Sequence, residues 1–323
     1  MDIRDHRGLK HAADRSLAMA AYSPLKLIYI HTAVALALSL GVTALDFVLE
    51  GQIGNTGGLS GMGIRSVLTT IQTMLRMVEF AILPFWEMGY IFTVMRLARV
   101  ESARPENLLT GFFRSGPVLR TILLQALIYT LVIFASSYLA MQLFLLSPLS
   151  TPVFELLQPY MGSTTVLSGG IALDDATALA VADASMPMLW FMIPLCVIFI
   201  TPLAYSYRLV NYCLMDDPKR GAFAALRTSR ALMRGKRFQM FRLDLSFWWY
   251  YLLHALLVAI CYGDQLLPVL GIQLPWSKNV GFFLFYVVSL LCQLALYVAA
   301  RNKVEATYVL AYDALRTPAE KSE

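Results

Sequence analysis

Six apolar stretches, each about as long as the 20 residues that a helix needs to cross a bilayer, most limit how this chain can fold. They lie at 25–47, 77–96, 118–146, 188–212, 243–261 and 280–300. Only helices and closed barrels satisfy their backbone hydrogen bonds in lipid, and runs of this length favour helices. Only 15% of the 323 residues are charged, against about 25% in soluble domains. The sequence therefore predicts an all-α, polytopic helical membrane protein with a single membrane domain over 1–323.

The lysines and arginines are concentrated on one side of these spans. All but three of the 26 lie in the N-terminal segment, in the second and fourth junctions, or after the last span. The exceptions are Arg65, Arg76 and Lys278. Because cytoplasmic loops retain positive residues, this pattern predicts a multi-pass membrane protein with both termini in the cytoplasm. The segments 50–64, 147–187 and 262–279 are then outside, and the outer loop 147–187 is expected to form a small cap.

The most basic junction is interpreted as a cytoplasmic amphipathic helix over 217–237. Asp217 and Pro218 suit its N-cap and its first helical position, and Gly235 allows the chain to turn into the next span. Small and apolar side chains share one arc of this helix, and cations share the opposite arc. We expect the cations to face anionic lipid headgroups. They are Lys219, Arg220, Arg227, Arg230 and Arg234.

The junctions also follow a threefold pattern. Each inbound span ends in Tyr and Arg followed by Pro, and each outbound span is preceded by a short amphipathic juxtamembrane segment and a break. The pattern is compatible with three helical-hairpin repeats of about 105 residues, as internal repeats are common in membrane proteins. Chance convergence of similar interfacial chemistry is the alternative.

Two polar side chains near the middle of the spans are candidates for an intramembrane polar path. Glu87 follows Pro84 by three residues, and His254 lies twelve residues into the fifth span. Intramembrane ionisable groups mark functional sites by default, and a Glu87–His254 pair could relay protons. The alternative is that each side chain is a packing residue that is hydrogen-bonded to a neighbouring helix.

The remaining charges near span ends are interpreted as structural ion pairs. Arg76 and Glu79 are spaced i,i+3, so they can pair on one helix face. Asp244 lies in the first turn of the fifth span, where the helix dipole favours an anion, amid Arg242, Arg237 and Arg208. Asp46 lies near the outer end of the first span and is expected to reach water.

The stretch 229–247, SRALMRGKRFQMFRLDLSF, resembles the signature of a bacterial integral-membrane family of unknown function (domain of unknown function 975). The resemblance covers most of the chain, but its specific part is this stretch. The chain departs from the pattern after Phe247, where Trp248-Trp249-Tyr250 follows directly. The resemblance implies a multi-span membrane protein and supplies no reaction, substrate or cofactor.

No catalytic arrangement is apparent in the sequence. It contains no phosphate-binding loop, HExxH, GxSxG or metal-spaced Cys/His cluster, so we expect no catalytic residue, no cofactor and no metal. The leading hypothesis is a non-enzymatic membrane protein, a lipid-interacting scaffold or an accessory subunit of a membrane complex. Its expected partners are membrane lipids, with another membrane protein or a second copy of the chain, and not nucleic acid. The alternative is a small-solute transporter or channel whose polar path passes Glu87 and His254.

Overall fold

The computed structural model describes residues 3–55, 61–160, 175–217, 219–263, 266–267 and 278–320. Within these ranges almost every residue is helical and none lies in a strand. Five helices there are long and apolar enough to cross a membrane, and a sixth span results if one bent helix pair is counted as one. The five are Pro24–Ile53, Ile64–Ala98, Ser115–Leu146, Met188–Asp216 and Val280–Arg316.

The chain divides into two units, Met1–Thr121 with Arg208–Glu323, and Ile122–Tyr207. The first unit contains most of the helices and a 3₁₀ turn at Pro105–Leu109. A π-helical turn, Tyr297–Arg301, joins its last two helices. The helices of this unit are α1 His6–Met19, α2 Pro24–Asn55, α3 Gly61–Ala98, α4 Thr110–Phe113, α9 Val210–Asp216, α10 Ala222–Leu232, α11 Arg237–Leu245, α12 Trp248–Cys261, α13 Lys278–Leu296 and α14 Asn302–Glu320.

The second unit holds most of α5, Ser115–Leu146, together with α6 Thr151–Leu157, α7 Asp175–Ala184 and α8 Met188–Ser206. Short 3₁₀ turns at Pro148–Ser150 and Gln158–Tyr160 flank α6. Helices α6 and α7 pack together. The predicted outer loop 147–187 therefore contains two short helices in its described part, while 161–174 lie outside the described residues.

Large apolar side chains point outward along the long helices. Phe80, Phe134 and Trp190 are each exposed over 70% or more of their surface, whereas soluble proteins rarely show contiguous apolar surface. Helices α5 and α8 are apolar on all sides through most of their length, as expected of helices solvated by lipid. The chain is an all-α, polytopic helical membrane protein, and this prediction from the sequence is confirmed.

Two local predictions around the basic junction are corrected. Helix α10 begins at Ala222 with Gly221 as its N-cap residue. Asp217 instead accepts a hydrogen bond from the backbone N–H of Lys219, and Pro218 lies outside the described residues. The predicted span 243–261 is not one straight helix, because α11 and α12 are bent by 68° at residues 246–247. Gly235 has a φ of 73°, which confirms its role in turning the chain.

The end of the chain also differs from the prediction. The last predicted span ends at residue 300, but the helix continues through the π-helical turn into α14. Helix α14 packs against α1 and α3, and Val304, Tyr308 and Tyr312 on it are buried. A long helix with a buried polar face therefore lies at the centre of the first unit.

Helix α3 and the segment 105–113 approach each other unusually closely. A methyl group built on Gly89 would lie 1.7 Å from the carbonyl oxygen of Leu108, and one on Gly111 would lie 1.9 Å from that of Phe85. Only glycine permits backbones to approach this closely, as at small-residue contacts between membrane helices. These two glycines fix the short segment against the helix that carries Glu87.

Candidate functional site

A row of polar side chains runs along one face of the last helix, and we call it the α14 stripe. Its members follow one another at intervals of three or four residues, which places them on one side of a helix. They are Arg301, Glu305, Tyr308, Tyr312 and Arg316. Arg301 belongs to the π-helical turn that leads into α14. The partners of the five side chains lie on α3, α9, α11 and α12, so the stripe connects α14 to four other helices of the first unit.

The first member of the stripe forms the Glu87 cluster, defined here as Arg301, Glu87, His31 and Tyr90. Nη2 of Arg301 lies 2.5 Å from the Glu87 carboxylate, and the guanidinium lies 4.7 Å from the Tyr90 ring centroid. Nε2 of His31 lies 3.5 Å from the same carboxylate, and its ring stacks on Tyr90. Burial of a charge is costly unless it is paired, so Glu87 and Arg301 stabilise each other's ionised form.

The middle of the stripe is held by phenol groups. The Tyr212 hydroxyl donates to Glu305 at 2.6 Å. The Tyr308 hydroxyl donates to Asp244, whose carboxylate also lies 3.6 Å from Arg208. Asp244 is therefore a structural acid paired with Arg208, one of the three arginines that the sequence placed near it.

The far end of the stripe converges on Asp216, at the end of α9. This carboxylate accepts hydrogen bonds from Arg99 at 2.6 Å, from Tyr312 at 2.9 Å and from Arg316. Arg99 also donates to Asp313 at 2.5 Å. The hydrogen bond to Asp313, reinforced by Asp216, raises the pKa of the Arg99 guanidinium above its ordinary value. This end of the stripe is a fully charged network.

A cavity of about 490 Å³ opens beside the Glu87 cluster. One face each of α2, α3 and α13, together with the π-helical turn, forms its walls. The polar part of the lining includes His31, Thr32, Glu87, Gln293 and Arg301. Its size falls within the range of pockets that hold small molecules.

Glu87 and His254 do not contact each other, so the hypothesis of a direct Glu87–His254 pair is wrong. Glu87 is paired with Arg301, whose guanidinium lies 4.4 Å from the Tyr297 ring centroid. His254 stacks on the same tyrosine, with ring centroids 6.1 Å apart. It lines a second cavity, of about 230 Å³, between α12 and α13, and the two cavities share Leu290 and Gln293 in their walls.

The ion pair predicted between Arg76 and Glu79 is also wrong. Nε of Arg76 lies 2.7 Å from Asp46 on α2, and the Ser39 hydroxyl donates to Glu79 at 2.5 Å. Asp46 is buried by this pairing and does not face water, contrary to expectation. The two contacts join α2 to α3, whereas an i,i+3 pair would have stabilised only one helix.

The five cations predicted to face lipid have different environments. Lys219, Arg227, Arg230 and Arg234 are exposed, whereas Arg220 is half-buried and lies 3.6 Å from Asp217. The opposite face of α10 is buried at Ala222, Ala225, Leu226 and Ser229. Helices α9 and α14 pack against α10, so its apolar arc contacts protein. Exposure alone does not test lipid binding, which stays a prediction.

Sequence reasoning missed Glu305, Asp216 and Arg99. None of the three was among the predicted site residues. Glu305 follows the last predicted span, and Asp216 follows the predicted span 188–212. The i,i+3 and i,i+4 spacing of the α14 stripe was the available signal, because polar residues at helical spacing mark one face. The partners of the stripe could not be read locally, since they lie about 100 or 200 residues away in the chain.

Apolar helices joined by a buried ionic stripe define a polytopic helical membrane protein. The chain belongs to the family described as "Protein of unknown function (DUF975)", whose model matches residues 32–276. The matched range contains the motif at 229–247, so the resemblance in the sequence is confirmed, and it ends before α14. Comparisons with curated proteins and with solved structures found no match.

Proposed function

We propose that this protein is a non-enzymatic, multi-pass protein of a bacterial plasma membrane, with both termini in the cytoplasm. It acts as a lipid-interacting scaffold or as an accessory subunit of a membrane complex. The observation that carries the proposal is a contrast between two sets of arginines. Those inside the first unit are paired with carboxylates, whereas Arg227, Arg230 and Arg234, on α10 and just after it, are exposed and make no ion pair among the described residues. The absence of a catalytic motif from the sequence supports a non-enzymatic role.

The exposed cations of α10 form a distinct surface. Arg227, Arg230 and Arg234 make no ion pair with any residue in the described part of the chain, whereas Arg99, Arg208 and Arg301 all have carboxylate partners. Each cation at an anionic membrane surface contributes about 1 kcal/mol of attraction. Three neighbouring cations therefore supply a substantial preference for anionic headgroups.

The orientation of this surface is fixed by packing. Ala225 and Ser229 are completely buried, and the Ser229 hydroxyl accepts a hydrogen bond from the backbone N–H of Leu209. Because α10 cannot roll without exposing this face, its cations keep one direction. A basic surface that packing holds in one orientation suits a scaffold better than an amphipathic helix that packs against no other helix.

Exposed phenylalanines accompany the cations. Phe223 on α10 is 78% exposed and Phe238 on α11 is 68% exposed. Aromatic side chains beside cations are typical of segments that lie at a membrane interface. These rings would enter the acyl boundary while the arginines contact headgroups.

The transport alternative has weaker support. Its path required Glu87 and His254 to share a polar route, but the two side chains line different cavities. Arg301 also holds the Glu87 carboxylate. A carboxylate fixed by a buried arginine is poorly suited to release a solute or a proton.

Native mass spectrometry of the detergent-purified full-length protein tests the proposal. Wild type should retain phosphatidylglycerol in preference to phosphatidylcholine. The triple variant Arg227→Gln, Arg230→Gln, Arg234→Gln should lose most of this preference, on the order of 100-fold if the three contributions add. The same spectra report whether a second copy or another protein remains bound.

The matched control replaces the same three arginines by lysine. This variant keeps the charges and should retain phosphatidylglycerol, because headgroup attraction depends mainly on charge. A further control, Arg65→Gln, removes an exposed cation from the opposite side of the predicted topology. Equal retention of phosphatidylglycerol by the glutamine and lysine variants would show that α10 does not bind anionic lipid.

A further inference from the structure

The cavity beside the Glu87 cluster changes from polar to apolar along its length. On α2, His31 and Thr32 lie at one end, and Ala35 and Leu36 lie one turn further along. On α3 the lining changes in the same direction, from Glu87 to Phe80, and along the π-helical turn and α13 it changes from Arg301 to Leu290. Ser39, one turn beyond Leu36 on α2, also lines the cavity, but its hydroxyl donates to Glu79. A ligand that fills this cavity must therefore have a polar head and an apolar body.

The polar end contains buried groups that have no partner in the described part of the chain. His31 is 2% exposed and Thr32 is 5% exposed, yet Nδ1 of His31 and Oγ1 of Thr32 make no hydrogen bond there. Buried polar atoms are almost always satisfied by protein, water or a ligand. His31 and Thr32 both line the cavity, so the side chains that carry these two unsatisfied atoms lie at its polar end.

These groups require mainly hydrogen-bond donors from a ligand. A neutral His31 whose Nε2–H faces Glu87 presents a lone pair at Nδ1. The Glu87 side chain is 36% exposed and that of Arg301 is 11% exposed, so Glu87 is the more accessible member of the ion pair. Pro84 has no N–H to donate to the backbone carbonyl of Phe80, one turn earlier in the helix. This carbonyl is therefore a further hydrogen-bond acceptor.

The net charge of the site decides the kind of donor. Glu87 and Arg301 neutralise each other, so a charged ligand would bring an uncompensated charge among apolar walls. Burial of an unpaired charge costs far more than burial of a hydroxyl group that is hydrogen-bonded. An uncharged donor such as a hydroxyl therefore fits better than an ammonium or a carboxylate.

We propose that this cavity binds an uncharged amphiphile, with a hydroxyl-bearing head at Glu87, His31 and Thr32 and an apolar tail along Leu36, Phe80 and Leu290. Monoacylglycerols and long-chain alcohols belong to this class. The π-helical turn contributes by placing Arg301 against Glu87. π-Helical segments are frequent at functional sites. The site does not depend on anionic-lipid binding at α10, and either proposal can fail alone.

Photolabelling in phosphatidylcholine nanodiscs tests this site in the full-length protein. The probe is a monoacylglycerol with a diazirine in its tail, and labelled peptides are located by mass spectrometry. Labelling should concentrate on 31–39, 80–87 and 290–301. Unlabelled monoolein or oleyl alcohol should abolish it, whereas oleate and oleylamine should compete poorly. Stronger competition by oleate or oleylamine would overturn the inference of an uncharged head.

Two variants and one matched control make the result specific. Leu36→Trp fills the cavity and should remove labelling of the three segments. The control is Leu291→Trp on α13, at a residue that is 58% exposed and does not line the cavity. This control should leave the labelling unchanged. Thr32→Val keeps the shape of the side chain but removes its hydroxyl, and should weaken monoolein competition several-fold. Labelling spread evenly over lipid-facing residues, and unchanged in Leu36→Trp and Thr32→Val, would show that the cavity holds no such ligand.

Discussion

At the scale of single residues, carboxylates shared between several donors hold the first unit together. Asp216 is the clearest example, because its side chain is 6% exposed and accepts from two arginines and a tyrosine. Asp14 makes a similar contact with Lys303, at 2.6 Å, but both side chains are more than 40% exposed. Water can replace a partner for Asp14 far more easily than for Asp216.

This difference predicts unequal effects of two alanine substitutions. Asp216→Ala removes the carboxylate that accepts from Arg99 and Arg316. It should destabilise the protein by about 3 kcal/mol, as expected when a buried ion pair loses one partner. Asp14→Ala should cost less than about 1 kcal/mol, because exposed ion pairs contribute little. Thermal unfolding of the purified variants in the same detergent measures which of the two is less stable. Similar midpoints for the two variants would contradict the role assigned to Asp216.

Residue pairing was also the least predictable property of the sequence. Arg76 and Glu79 are close in the chain, so an i,i+3 pair was the local expectation, but the structure gives Arg76 a partner 30 residues away. Asp244 was placed among three arginines, and only the fold selects Arg208. Local spacing limits which residues can meet on one helix, whereas partners on other helices depend on packing that the sequence does not show directly.

At the scale of elements, hydropathy was a better guide. Apolar runs predicted the helices because length and composition alone decide whether a helix is stable in lipid. The same reasoning missed α14, since a helix that buries tyrosines and charges has no long apolar run. It also missed the bend between α11 and α12, where no proline or glycine stands at residues 246–247.

The contact between α3 and the segment 105–113 gives a test at this scale. Gly89→Ala places a methyl group 1.7 Å from the carbonyl oxygen of Leu108, so the two backbones must separate. Overpacking of this kind costs about 1–3 kcal/mol, and it would also displace the helix that carries Glu87. We expect a lower unfolding midpoint in detergent.

The control for this substitution is Gly41→Ala on α2, where a methyl group meets no atom within 4 Å. Alanine is a better helix former than glycine, so this variant should be neutral or slightly stabilised. If Gly89→Ala matched Gly41→Ala in stability, the close backbone contact would not hold in solution.

At the scale of the whole molecule, the distribution of charge predicts a topology with both termini in the cytoplasm. The segments predicted to be cytoplasmic carry nearly all of the lysines and arginines. In the first unit they supply α1, the segment 105–113, α10, α11 and α14, which hold the exposed cations and the charged end of the stripe. Translocation of so many cations across a membrane is unfavourable, which is the physical basis of the positive-inside orientation.

Cysteine labelling checks this topology in the full-length protein, in a background from which the four native cysteines have been removed. Arg7→Cys, Arg104→Cys and Arg234→Cys replace exposed residues of three predicted cytoplasmic segments, and Glu155→Cys replaces an exposed residue of the outer loop. In intact cells a membrane-impermeant maleimide should label only Glu155→Cys. The other three should react after permeabilisation, which shows that each thiol is accessible. Labelling of Arg234→Cys in intact cells would place α10 outside and remove the basis for its contact with cytoplasmic anionic lipid. A mixed result among the three cytoplasmic positions would contradict the six-span topology itself.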